Sequence, residues 1–144
     1  MMKRIIILLL FPILCYGQQF DIGLQVSPVL TVQNVDNLRS FSLSPQLSLS
    51  YGNDILKVEA NLGIFSSFGF VAMQKHSYAA GRYIFNGLET FEHGVEIETG
   101  YVYNSKAYKI QIGAAIGYLS DNGKDLNIFL KPICLSFKYK LCQK

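Results

Sequence analysis

Along most of this chain apolar and polar residues alternate with a period of two. Phe20, Ile22, Leu24, Val26 and Leu30 alternate with Asp21, Gly23, Gln25 and Ser27. The stretch FSLSPQLSLSY, Phe41 to Tyr51, sets Phe, Leu, Pro, Leu, Leu and Tyr against Ser, Ser, Gln, Ser and Ser. The run from Leu56 to Ile64 opposes Lys57, Glu59, Asn61 and Gly63, and the run from Val95 to Tyr103 opposes Glu96, Glu98 and Gly100. Tyr108 to Tyr118 opposes Lys109, Gln111, Gly113, Ala115 and Gly117; Ile133 to Leu141 opposes Cys134, Ser136, Lys138 and Lys140. This period marks β-strands rather than helices. Leu126, Ile128 and Leu130 follow the other phase, and Pro132 between the two runs predicts a β-bulge, which inserts a residue and tolerates a missing donor. Pro45, by contrast, sits awkwardly inside a strand pattern because it brings no N–H to a ladder.

Turn signals separate the runs. GND (Gly52 to Asp54) and NSK (Asn104 to Lys106) predict hairpin-sized connections, while NVDNLR (Asn34 to Arg39) and SDNGKD (Ser120 to Asp125) predict longer polar loops. Short and long connections are thus expected to alternate. The stretch from Ser66 to Glu92 has the weakest pattern, and parity decides it. If the chain ends on the side where it begins, an even number of strands fits between the run starting near Asp54 and the one ending near Tyr103. Zero would leave one loop far longer than compact domains usually hold. Two gives strands around Phe68–Lys75 and Tyr78–Phe85, and eight in all: an all-β, up-and-down antiparallel barrel.

Which face points inward follows from residue type. The polar faces carry small uncharged residues, Ser42, Ser44, Ser48 and Ser50 on one strand and Gly113, Ala115 and Gly117 on another. A water-facing surface would carry about 25–35% charged residues, whereas a narrow eight-stranded lumen favours small ones. The charges on the same faces balance: Lys57, Glu59, Glu96, Glu98, Lys109 and Lys138 are expected to pair as a lumen network, since buried charges require partners. Phe41 and Tyr51 bracket one apolar row, and Tyr108 and Tyr118 bracket another of equal length. Such a row, at about 3.3 Å per residue and tilted by about 40°, projects to roughly 25 Å, the apolar height of a membrane barrel with an aromatic at each interface.

Composition adds location. Half of the 144 residues are hydrophobic and 16% are charged, below the roughly 25% of ordinary soluble domains. The opening MMKRIIILLLFPILCYG has two basic residues, a short apolar core and a small residue at Gly17. That is the plan of a secretory signal peptide over residues 1–17, leaving 18–144 as one exported barrel domain. Lipidation at Cys15 would want a small residue before it, and Leu14 is large. No apolar run in the body is long enough for a membrane-spanning helix. Setting Lys3 and Arg4 aside leaves eleven basic residues against ten acidic ones, with no basic and aromatic cluster suited to nucleic acid. Cys134 and Cys142 lie roughly 26 Å apart if on one strand, so a disulfide between them requires the chain to turn back after Leu141.

With these features in hand, the segment from Gln19 to about Leu141 resembles the small eight-stranded outer-membrane barrels of Gram-negative bacteria, the class of the OmpA transmembrane domain and OmpX. The resemblance lies in architecture and pattern rather than in a diagnostic motif. It implies a bacterial outer-membrane location, contact with outer-membrane lipid and the barrel insertion machinery, periplasmic GND and NSK turns, and longer loops outside. Members commonly end on an aromatic residue, whereas here Tyr139-Lys140-Leu141 is followed by Cys142-Gln143-Lys144.

Candidate chemistry is sparse. The segment KHSYAAG offers His76 and Ser77, with Glu89 and Glu92 downstream. The outer-membrane lipid A deacylases carry a His and a Ser two residues apart on one strand face. Here they are adjacent and point to opposite faces of a regular strand. His93 lies on the face opposite Glu96 and Glu98, so those residues do not converge as metal ligands. The expectation is a non-enzymatic barrel without cofactor or metal, structural or surface-binding, contacting an extracellular or periplasmic protein through its loops. A lipid-acting enzyme using His76 and a soluble lipocalin-like binding barrel are the alternative readings.

Overall fold

The computed structural model describes residues 18–34, 37–86, 92–121 and 125–141. The expected signal peptide and Cys142 lie outside the described residues. The strands are β1 (Gln19–Asn34), β2 (Asn37–Gly52), β3 (Leu56–Gly63), β4 (Ser66–Gln74), β5 (Ser77–Asn86), β6 (Glu92–Asn104), β7 (Tyr108–Asp121) and β8 (Asp125–Lys140). Each pairs antiparallel with its neighbour in sequence, and β1 pairs with β8 to close the barrel. The stretch that parity had to decide holds two strands, β4 and β5.

The stagger can be followed residue by residue. From Ile22 the ladder passes through Leu49, Ala60, Phe68, Tyr83, Val95, Tyr118 and Ile128 and returns to β1 at Val32, ten residues further on. A shift of ten residues over eight strands, at about 3.3 Å per residue and 4.8 Å per strand, tilts the strands by about 40° to the axis.

Two features depart from the sequence-based expectations. The stretches predicted as long polar loops are partly strand. β1 runs to Asn34 and β2 starts at Asn37, with Val32 opposite Leu38, while Asp121 faces Asp125. Polar side chains do not stop a ladder held by backbone bonds. The strict alternation of short and long connections also fails. β3 and β4 are the shortest strands and are joined by Ile64 and Phe65 alone, at the end where long loops were expected. The β2–β3 ladder consequently stops at Gln46 opposite Gly63.

That stop accounts for Pro45. A Cβ built on Gly63 would lie 2.6 Å from the Pro45 carbonyl oxygen, so this carbonyl faces the β3 side. The N–H and C=O of a strand residue point the same way. The missing donor is therefore turned to the side where the ladder has ended, and no bond to β1 is lost. Pro45→Ala is expected to lower stability by less than about 1 kcal/mol, through the looser unfolded chain alone. A gain in the urea midpoint would contradict this placement.

The bulge on β8 lies where the phase slips. Gly113 faces Cys134 and Ala115 faces Lys131, so Pro132 and Ile133 together oppose one residue of β7. Lys131 and Cys134 are buried and the two residues between them are exposed.

The turns at the other end are tight. In the β2–β3 turn Asn53 Oδ1 accepts from the N–H groups of Ile55 and Leu56 at 2.9 and 2.7 Å. Gly52, which leads into it, has φ +154°, and a Cβ there would sit 2.3 Å from the Leu56 carbonyl oxygen. Gly52→Ala is expected to cost about 1–3 kcal/mol, the usual cost of holding a side chain in such a conformation. Chemical unfolding of the two chains side by side measures it.

Candidate functional site

The barrel is inverted relative to a water-soluble one. Its outward positions are aliphatic and aromatic: Leu24, Leu47, Leu62, Phe70, Ile97, Ile116 and Leu135 are all exposed. Aromatic residues concentrate at the two ends of this surface. Toward the tight turns stand Tyr51, Tyr101, Tyr103, Tyr108 and Tyr139. Tyr108 packs against Tyr103 and Phe137, with ring centroids 6.2 and 5.7 Å away. Toward the opposite end stand Phe41, which is 69% exposed, Tyr83, His93 and Tyr118. Tyr83 lies against Phe68 and His93, at 5.6 and 6.2 Å.

The inside is charged. Near the tight turns Asp21 Oδ2 receives Lys57 Nζ at 2.6 Å, Lys109 Nζ at 3.0 Å and the Ser50 hydroxyl at 3.2 Å. Further in, Arg82 is the hub. Its Nη2 and Nε reach Glu59 Oε1 at 2.7 and 3.0 Å, and its Nη1 reaches Glu96 Oε1 at 2.9 Å and Glu98 Oε2 at 2.6 Å. Lys138 pairs with Glu59 and Lys131 with Glu96. The Tyr78 hydroxyl donates to Glu98 Oε1 at 2.5 Å, and Gln25 Nε2 donates to its other oxygen. Every carboxylate here is engaged by a cation, as buried charge demands.

Beyond Arg82 and Lys131, toward the opposite end, the lumen is filled by Val29, Ile84, Leu119 and Phe129, with Phe65 packed against them. The cavity they line together with Lys131 is about 10 Å³, barely room for one water. On the β4–β6 wall, Val71, Met73, Tyr78, Ala80 and Val102 form a second apolar cluster. Small hydroxyls complete the lining on β1, β2 and β8, where Ser27, Ser44, Ser48 and Ser136 are buried.

All six residues expected to form a lumen network, Lys57, Glu59, Glu96, Glu98, Lys109 and Lys138, point inward and are buried. Arg82, the hub that joins the three glutamates, is not one of the six. The three lysines and three glutamates already balance, so nothing in the charge count asked for another cation. β5 also mixes small and large residues on both faces, Ala80 and Ile84 inward and Ala79 and Tyr83 outward. Lys131 was hidden by the phase slip. Asp21 lies on the polar face of the first run, and its partners Lys57 and Lys109 come from β3 and β7.

The catalytic candidates sit elsewhere. His76 lies exposed in the β4–β5 turn, and the Ser77 hydroxyl donates to the Gln74 carbonyl at 3.2 Å. Glu89 lies outside the described residues. His93 faces outward, away from Glu96 and Glu98. Among the described residues no group of three or more His, Cys, Asp or Glu side chains is placed to hold a metal ion. Cys134 is buried beside the lumen.

No family model matches this chain, and no curated protein matches it. Its closed eight-stranded antiparallel barrel is the architecture of outer-membrane barrels in general and singles out no one family.

Proposed function

We propose that the chain is an exported barrel of the bacterial outer membrane with a structural or surface-binding role, inserted by the barrel insertion machinery. The observation that carries this reading is the inversion: paired charges inside, and a continuous aliphatic surface outside edged by aromatics at both ends. In water that surface would be a large exposed apolar patch of the kind soluble monomers avoid. In a bilayer it is the matched face. A lipocalin-like carrier would instead need an apolar interior large enough for a ligand, whereas this lumen is filled by ion pairs and an apolar plug. The filled lumen also favours a solid body over a conducting pore. The surface offered to extracellular partners is then the raised rim of β1, β2, β7 and β8.

Cell fractionation tests this reading. The chain is expected in the outer-membrane fraction, released by detergent but not by salt. On gels, the unboiled protein should migrate apart from the boiled one. Recovery in the soluble periplasmic fraction would sink the reading.

A further inference from the structure

The outer wall is not uniform. Above the β4–β5 turn two adjoining depressions meet at Ser77 and Thr99. The larger, about 560 Å³, crosses β6, β7 and β8 past Tyr101, Ile112, Ala114 and Ile133. The smaller, about 270 Å³, opens beside Ala72, Gln74 and Ala79. They arise because Ala72, Ala79, Thr99 and Ala114 occupy outward positions that carry Phe70, Ile97 and Ile116 nearby. The bulge supplies the far wall, with Pro132 and Ile133 both facing out.

The floor of this groove is apolar in effect. The Thr99 hydroxyl donates to the Tyr78 carbonyl at 3.1 Å, and the Ser77 hydroxyl is spent on Gln74. Neither hydroxyl has a proton left to donate to a ligand in the groove. The groove starts at the first residue of β5 and ends at Ala114, midway along β7. It thus covers the turn-side half of the apolar surface, the depth of one leaflet, about 15 Å of hydrocarbon.

Its mouth is basic. Lys75 and His76 form the turn beneath it and are exposed, and Lys106 is exposed in the β6–β7 turn. The His76 carbonyl accepts from Val102 N–H at 2.9 Å, which ties the first turn to β6 and toward the second. Residues 75–76 and 105–107 include no carboxylate.

We infer that this groove holds an anionic glycerophospholipid of the leaflet at the tight-turn end. One acyl chain lies along Ala79, Thr99 and Ala114, and the phosphate lies against Lys75, His76 and Lys106. The inference rests on the membrane reading above, which supplies the leaflet. An apolar slot one leaflet deep with cations at its mouth matches a lipid end to end. Between Tyr101 at its turn-side edge and Ile133 at its far wall the slot is lined by Ala79, Thr99, Ile112 and Ala114, a surface suited to an acyl chain.

The test uses the full chain folded in detergent micelles, with the heat-dependent gel shift as the folding control. Native mass spectrometry then compares retention of phosphatidylglycerol and phosphatidylcholine of identical acyl chains. The anionic lipid is expected to be favoured by on the order of fivefold for each lysine at the mouth. Lys75→Glu with Lys106→Glu should abolish that preference. Thr99→Leu with Ala114→Leu, which fills the slot, should lower retention of both lipids while the gel shift persists. Equal retention of the two lipids by the unaltered chain overturns the site, as does a preference unmoved by the charge reversals. A photo-crosslinker at Ala114 that captures a protein instead of lipid in native membranes overturns it too. All three results leave the membrane reading standing. Absence of any folded, detergent-dependent species overturns both.

Discussion

Arg82→Ala is expected to be the most damaging single change in the barrel, at about 3–5 kcal/mol of folding stability, because it leaves buried charge without a partner. One guanidinium contacts Glu59, Glu96 and Glu98 at 2.6–3.0 Å. Lys131 and Lys138 remain for Glu96 and Glu59, but Glu98 would retain only neutral donors, Tyr78 and Gln25. Arg82→Lys should restore only part of the loss. A single ammonium cannot reproduce the planar fork that meets carboxylates on β3 and β6 together. The chain has no tryptophan, so far-UV circular dichroism through a urea titration in micelles is the suitable readout. A loss below about 1 kcal/mol would mean that the hub is not what holds this layer together.

Ile97→Arg is expected to cost about 2–4 kcal/mol when the barrel is folded in lipid vesicles, the usual cost of a cation on the lipid face near mid-membrane. Ile97 is 65% exposed and points to the face opposite its buried neighbours Glu96 and Glu98. Were the same surface bathed in water, such a change would move stability by no more than about 0.5 kcal/mol. The two solvents thus predict clearly different results for one substitution. Urea unfolding from vesicles measures it, with Ala107→Ser at the exposed β6–β7 turn as the position where little change is expected.

The sequence carried the barrel because alternation is dense on six of the eight strands, and the direction of burial because serines and glycines fill positions where a soluble sheet would place charges. What stayed illegible has specific causes. β5 reads as no pattern since Arg82 and Tyr78 share its inner face with Ala80 and Ile84, while its outer face carries Ala79 and Gly81. β3 and β4 looked like members of an even-rimmed barrel. Their shortness is set by where the Gln46–Gly63 pairing stops, a tertiary fact that no local residue declares. The polar runs near Asn34 and Asp121 resemble loops because they are polar, while the ladders reach Asn34 opposite Asn37 and Asp121 opposite Asp125 on backbone bonds. The plug of Val29, Ile84, Leu119 and Phe129 draws its members from four strands. Each of them, taken within its own strand, is an apolar residue on the polar face.

The ion pairs have a consequence for the order of events during assembly. Arg82 finds Glu96 and Glu98 on the neighbouring β6, but other pairs join strands that are not neighbours: Asp21 of β1 to Lys109 of β7, Glu59 of β3 to Lys138 of β8, and Arg82 of β5 back to β3. None of the latter pairs can form within a single hairpin. On a half-built, open sheet, Lys109 and Lys138 would face hydrocarbon or water without their carboxylates. Stepwise insertion of one hairpin after another into lipid would therefore leave Asp21 and Glu59 without these lysines until the last strands arrive. Closure of β1 on β8 brings the partners of Asp21 and of Lys138 together, so on the proposed membrane reading folding and entry into the bilayer are coupled.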